Sequence, residues 1–329
     1  MQFRSVQCMQ LLLFFAVSTV GGMAIAQTKP AKMLPPYVSA HRVMVDGVER
    51  RYYRVAPVSV KATQAALFMF HGHGGSPEHM LGMTRTQSPY VRWLEVARRQ
   101  NLLLIVPEGE VGGDGKRGWA DCRLADSQPK TDDLAFVDAM IAKLNGDYPA
   151  IAKQIFAVGT SNGGHFVLRI AHERAGALKA AAVVLASEAA QSRCKAPSQG
   201  LPIVFINGTD DTLTKWQGGL VGKTRDMRGE TMSVMDTVNY WVKLNNAEGI
   251  AKIEKLPDVD PEDKSRVVVH QYAAKAGGAP VVLYEVQGGG HTEPSISVAP
   301  SRLFSLIVGT QNRDIEMADK LWEFFAAQK

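Results

Sequence analysis

The chain has few cysteines, three in 329 residues, and no two of them stand at C-x-x-C spacing. Neither Cys122 nor Cys194 therefore looks like a metal ligand. Charge of one sign is also scarce. The 37 basic and 32 acidic residues leave +5, and the basic residues are scattered. A nucleic-acid binder needs a basic stripe, and none is visible. There is no internal repeat, no low-complexity tract and no linker strong enough to split the chain. No apolar run reaches the length of a good membrane span.

The one short apolar run lies at the start. Arg4, the run Leu11 to Val20 and the Ala24-Ile25-Ala26 signal read as a signal peptide over residues 1–26, cleaved near Ala26. An uncleaved anchor is the alternative, and the brevity of the run speaks against it. Cys8 precedes the run, which argues against a lipoprotein anchor. The expected product is secreted or periplasmic. In an oxidising compartment the remaining pair, Cys122 and Cys194, is expected to form a disulfide rather than stay as two thiols.

Residues 27–40 contain Pro30, Pro35 and Pro36 and read as a flexible leader, with a single domain over 41–329. His41 to Val45 and Arg50 to Val55 flank Asp46-Gly47, an antiparallel hairpin signal. The period then changes. Apolar runs at Ala66–Phe70, Leu102–Val106, Ile155–Val158, Ala181–Ala186, Ile203–Ile206 and Val281–Val286 read as strands. Helical patterns at Tyr90–Gln100, Asp132–Leu144, Asn162–Glu173, Glu230–Leu244 and Asp314–Ala327 alternate with them. Gly113–Arg117 and the charged Asp258–Arg266 read as surface loops. Buried strands alternating with helices predict an α/β fold, a mostly parallel sheet with helices on both faces.

Gly159-Thr160-Ser161-Asn162-Gly163 is G-x-S-x-G, placed between an apolar strand and an amphipathic helix. A sharp turn there exposes a serine hydroxyl at a helix N-terminus, while flanking glycines let the backbone pass closely. A serine needs a base to accept its proton. Downstream, Asp210 and Asp211 follow one strand, and His291 follows another through Gly288-Gly289-Gly290. That chain order, serine, acid, histidine, is the order of α/β-hydrolases. Glu188, just past the strand at Ala181–Ala186, is a third candidate acid. Among the other histidines, His41 precedes the serine on the wrong side, and His165, His172 and His270 read as packing or surface positions. His71 and His73 have H-x-H spacing, but no carboxylate or cysteine nearby completes a metal set. The loop His71-Gly72-His73-Gly74-Gly75 reads better as half of an oxyanion hole, with backbone donors at His73 and at Asn162.

Together these motifs resemble the exported α/β-hydrolase esterases grouped with polyhydroxybutyrate depolymerases and feruloyl esterases. The counterparts are His71 to Gly75, Gly159 to Gly164, Asn207-Gly208-Thr209-Asp210-Asp211 and Gly288-Gly289-Gly290-His291-Thr292-Glu293-Pro294. The resemblance covers about residues 40 to 328. It implies a serine esterase that forms an acyl-enzyme on Ser161, with His291 as base, Asp211 rather than Asp210 as acid, and no cofactor. Its substrate would be a small or polymer-derived ester. Asn207 and Glu293 depart from the family's histidine and tryptophan, and Glu293 removes an aromatic wall of the substrate site. Trp119 and Trp216 are the remaining aromatic candidates for that wall. A polyhydroxyalkanoate depolymerase, a serine peptidase of the same fold and a non-catalytic binding module are the alternatives.

Overall fold

A computed structural model describes residues 34–328 apart from 60–62, 64, 152–153, 223–227 and 301. The expected signal peptide and residues 27–33 of the leader lie outside the described residues. The chain from Pro35 onward forms one compact unit.

Its first element is the hairpin β1 (Val38–Val45) and β2 (Val48–Val55). Asp46 and Gly47 turn it with φ of 47° and 78°. Positive φ at both central residues is the twist that a two-residue hairpin requires. β1 starts at Val38, so the leader ends earlier than residue 40.

Eight further strands complete a ten-stranded sheet. They are β3 (Ala66–Phe70), β4 (Leu103–Pro107), β5 (Ile155–Thr160), β6 (Ala180–Val184), β7 (Ile203–Gly208), β8 (Lys252–Lys255), β9 (Arg266–Tyr272) and β10 (Val281–Gln287). The order is β1-β2-β4-β3-β5-β6-β7-β10-β9-β8. The six central strands, β4 to β10 in that order, are parallel. Antiparallel strands flank them on both sides. The flank formed by β8 and β9 was not expected, and β9 begins where the sequence reading placed the end of a loop.

Among the described residues six helices of at least seven residues accompany the sheet: α1 (Arg92–Gln100), α2 (Asp133–Asp147), α3 (Asn162–Glu173), α4 (Val234–Leu244), α5 (Arg302–Val308) and α6 (Met317–Ala326). Strand alternation sorts the core into two layers. Phe68, Ile105, Ala157, Val183, Phe205 and Leu283 share one buried cluster with α2, α3 and α4. Phe156 points the other way, with its ring 4.9 Å from Phe325 and 6.1 Å from Trp322 of α6. Helices thus cover both faces, as a buried parallel sheet requires. The expected helix from Glu230 is corrected. Glu230 and Thr231 pair with Gly219 and Leu220 as a short ribbon, and α4 begins after Ser233, whose hydroxyl caps the Asp236 amide.

Candidate active site

Because the central strands are parallel, the turns that follow β3, β5, β6, β7 and β10 all leave from one sheet edge, where α/β sheets bind their ligands. Ser161 occupies the turn between β5 and α3 with φ 52° and ψ −120°. Left-handed backbone in a residue with a Cβ costs on the order of 1–3 kcal/mol, so the surroundings must hold it. They do so through the Ser161 amide, which donates to the Val184 carbonyl at 2.8 Å, and its carbonyl, which accepts from His165 N–H at 2.9 Å. Gly163 permits the close approach behind the turn. A Cβ there would lie 2.2 Å from the Phe70 carbonyl.

His291 and Asp211 meet across the neighbouring turns. His291 Nδ1 lies 2.6 Å from Asp211 Oδ2, and the Asp211 side chain is fully buried. Asp211 Oδ1 accepts from the Leu213 and Thr214 amides at 2.7 and 2.8 Å, which fixes the carboxylate. The two turns are tied by Asp210 N–H to Gly289 O and by Gly288 N–H to Thr209 Oγ1, both at 2.9 Å. Asp210 itself is exposed and accepts from Thr209 Oγ1. Glu188 is buried elsewhere, where it accepts from Trp241 Nε1 at 2.8 Å and meets His172 Nε2 at 3.0 Å. Of the three candidate acids, only Asp211 reaches His291. Among the described residues no hydrogen bond joins Ser161 to His291, a gap common in the absence of substrate. His165, one helical turn after Ser161, is buried, with its Nδ1 2.9 Å from Ser187 O.

Two loops converge beside Ser161. In the loop after β3, Gly74 N–H donates to Arg117 O and Gly75 N–H to Gly72 O. Among the described residues the His73 amide and the Asn162 amide, the first of α3, have no acceptor. The His73 ring sits 2.8 Å from Asp114, and burial, with Arg228 nearby, holds its pKa below the usual value. His71 bridges loops as a neutral ring. Its Nε2 accepts from Gly109 N–H at 3.0 Å, Nδ1 meets Gly72 O at 2.8 Å, and burial lowers its pKa to about 4.

Of the second loop, 117–123, the sequence reading offered only Trp119 and Cys122. Asn162 Oδ1 accepts from Trp119 N–H at 2.7 Å, and its Nδ2 donates to Trp119 O and Asp121 Oδ2. A Cβ on Gly118 would come within 2.7 Å of Asn162 Oδ1, so a side chain there would push the Asn162 amide out of place. Asp121 is fully buried. Burial alone would raise its pKa, but the Arg123 guanidinium prevails and holds it below the usual range. Next to it the structure joins Cys122 to Cys194, with Cα atoms 5.1 Å apart. The signal available in the sequence was the run Trp119-Ala120-Asp121-Cys122-Arg123, polar groups crowded around an expected crosslink.

The aromatic candidates fall differently from expectation. Trp119 is fully buried, stacked on Phe166 at 5.2 Å, with its Nε1 donating to His71 O. It packs beneath the cleft and presents no exposed wall. Trp216 is half-buried against the core beside α4. Glu293 lies near His79 and Tyr90, and after burial its charge adds to the rise in the Tyr90 pKa. The residues bordering the cleft at Ser161 include His73, Trp119, Arg123, Asn162, Val221 and Arg228, and neither Trp216 nor Glu293 is among them.

This sheet and strand-to-helix turn define the α/β-hydrolase fold. No family model matches the chain. The protein NocK of Nocardia uniformis subsp. tsuyamanensis, provisionally named an esterase, is 27 % identical over 330 residues, covering 94 % of this chain and 89 % of that one. Feruloyl esterase B of Piromyces equi is 29 % identical over 169 residues, which are 49 % of this chain and 29 % of that protein. The solved acetyl xylan esterase from Aspergillus awamori superimposes with a TM-score of 0.54 at 12 % identity, covering 88 % of this chain and 99 % of that one, and supports the same fold.

Proposed function

We propose that this chain is a carboxylic ester hydrolase working through an acyl-enzyme on Ser161. The observation that carries this reading is the buried Asp211–His291 pair, set at the same sheet edge as the strained Ser161 turn. Nδ1 of His291 is committed to Asp211, so Nε2 is the nitrogen left to take the serine proton. Rotation of the Ser161 hydroxyl toward it starts the attack. His291 then returns the proton to the leaving alcohol, and in the second half-reaction draws one from water. The His73 and Asn162 amides receive the developing oxyanion, where one such donor is worth about 3 to 4 kcal/mol. The relatives named esterases support the class of reaction.

The mature protein is proposed to be exported after loss of residues 1–26, with residues 27–37 as its leader. The Cys122–Cys194 bond is compatible with an oxidising compartment. No helix among the described residues is long and apolar enough to cross a membrane.

Ser161→Ala should abolish turnover of a short p-nitrophenyl ester while leaving the circular dichroism spectrum unchanged. A variant that keeps most of its activity removes Ser161 as nucleophile. If the native protein turns over no ester at all, the chain is better read as a binding module on this fold.

A further inference from the structure

Two guanidinium groups border the cleft without a role in the proposed chemistry. Arg123 spends its Nε, its Nη2 and its backbone amide on Asp121. Asp121 also accepts from Gln128 Nε2 and Asn162 Nδ2, so its oxygens are fully engaged. That leaves Arg123 Nη1 buried with no acceptor, on a side chain only 5 % exposed. A buried unmet donor costs about 1–3 kcal/mol, more when charged. Arg228 borders the same cleft, with its Nε buried and unpaired. Among the described residues no carboxylate forms an ion pair with it.

The charge count narrows the ligand. Asp121 neutralises Arg123. Asp114, the other carboxylate near this wall, faces His73 and is accompanied by Lys116. Among these described groups the surplus is the one charge of Arg228, which suits a monoanion better than a dianionic phosphate. A carboxylate also matches the planar N–H edge that an arginine offers.

We propose that the cleft at Ser161 selects esters that carry a carboxylate, held by Arg228 at the cleft border with the buried Arg123 guanidinium beside it. This rests on Ser161 being the reacting centre. The carboxylate belongs to either the acyl half or the alcohol half of the substrate, and the experiment separates the two.

The full-length mature protein is given two matched pairs, with products followed by chromatography. Monoethyl adipate is compared with the ethyl ester of adipamic acid, and 4-acetoxybutanoate with 4-acetoxybutanamide. In one pair the carboxylate should win by about tenfold or more in kcat/KM, which is about 1.4 kcal/mol. The pair that shows it identifies the half. Arg228→Gln should collapse that ratio toward one, chiefly through KM, and Arg228→Lys should keep part of it. The ratio should also shrink as salt rises from roughly 20 mM to 500 mM, because the contact is partly open to solvent. Ratios near one in both pairs, or a ratio unmoved by Arg228→Gln, overturn the inference alone. If Arg228→Gln does not fold, a native ratio insensitive to salt overturns it. No turnover of any of the four esters overturns the hydrolase reading and this inference with it.

Discussion

Neighbouring carboxylates separate cleanly at the scale of single residues. Asp210 and Asp211 are adjacent, yet one is exposed and the other is fully buried on His291. Asp211→Asn preserves the shape while letting the imidazole settle in the wrong tautomer, a loss of about 10⁴ in turnover where it was measured in a serine protease. We expect Asp211→Asn to lose orders of magnitude in kcat, and Asp210→Asn to lose little. Glu188→Gln should act on stability, since it disturbs a buried contact with His172 and Trp241. If Asp210→Asn or Glu188→Gln is instead the crippled enzyme, the acid is misassigned. Ser161 and His291 stand out as candidates because each follows an apolar strand among glycines, whereas Asp211 was preferred to its neighbour Asp210 only through the family resemblance. Arg123 and Arg228 do not stand out, because an isolated arginine looks the same in sequence whether it faces a cleft or solvent.

Among the elements, the buried strands gave themselves away and the edge strands did not. β3 and β5 are buried along their whole length, with apolar runs at Ala66–Phe70 and Ile155–Val158, because both faces are covered. β8 is exposed along its whole length, Lys252-Ile253-Glu254-Lys255, so no hydrophobic pattern marks it. β9 follows a charged loop, and its pairing with β10 is a long-range fact. In the loop around Trp119 only Trp119 and the cysteine stood out, because the hydrogen bonds that tie the loop to Asn162 are long-range facts. The disulfide closes a segment of 72 residues, worth about 4 kcal/mol in the chain-entropy account. Unreduced, unfolded protein should therefore react with no thiol reagent at Cys122 or Cys194, and reduction should lower Tm. Two reactive thiols in the unreduced mature protein would contradict the pairing.

For the whole molecule, acid should be the sensitive direction. His71 and His165 are buried and neutral, with pKa values lowered by burial to about 4 and about 3. In the unfolded chain both return to near 6.5, so between there and the folded values the unfolded state binds more protons. The stability they lend is complete above pH 6.5. It falls by about 1.4 kcal/mol per histidine for each pH unit below that, until the folded pKa is reached. Since a domain's total stability is about 5–15 kcal/mol, Tm should drop steadily from pH 6.5 toward 4. Thermal unfolding that is flat across that range would show that these rings are not held neutral.

The central claim is that Ser161 is the atom to which the acyl group is transferred. Treating the mature protein with a fluorophosphonate, with peptide mass spectrometry and residual ester turnover followed together, tests it most directly. The account predicts one adduct per chain, on Ser161, with activity falling in proportion to labelling. An adduct on another residue, or full activity in fully labelled protein, would contradict it.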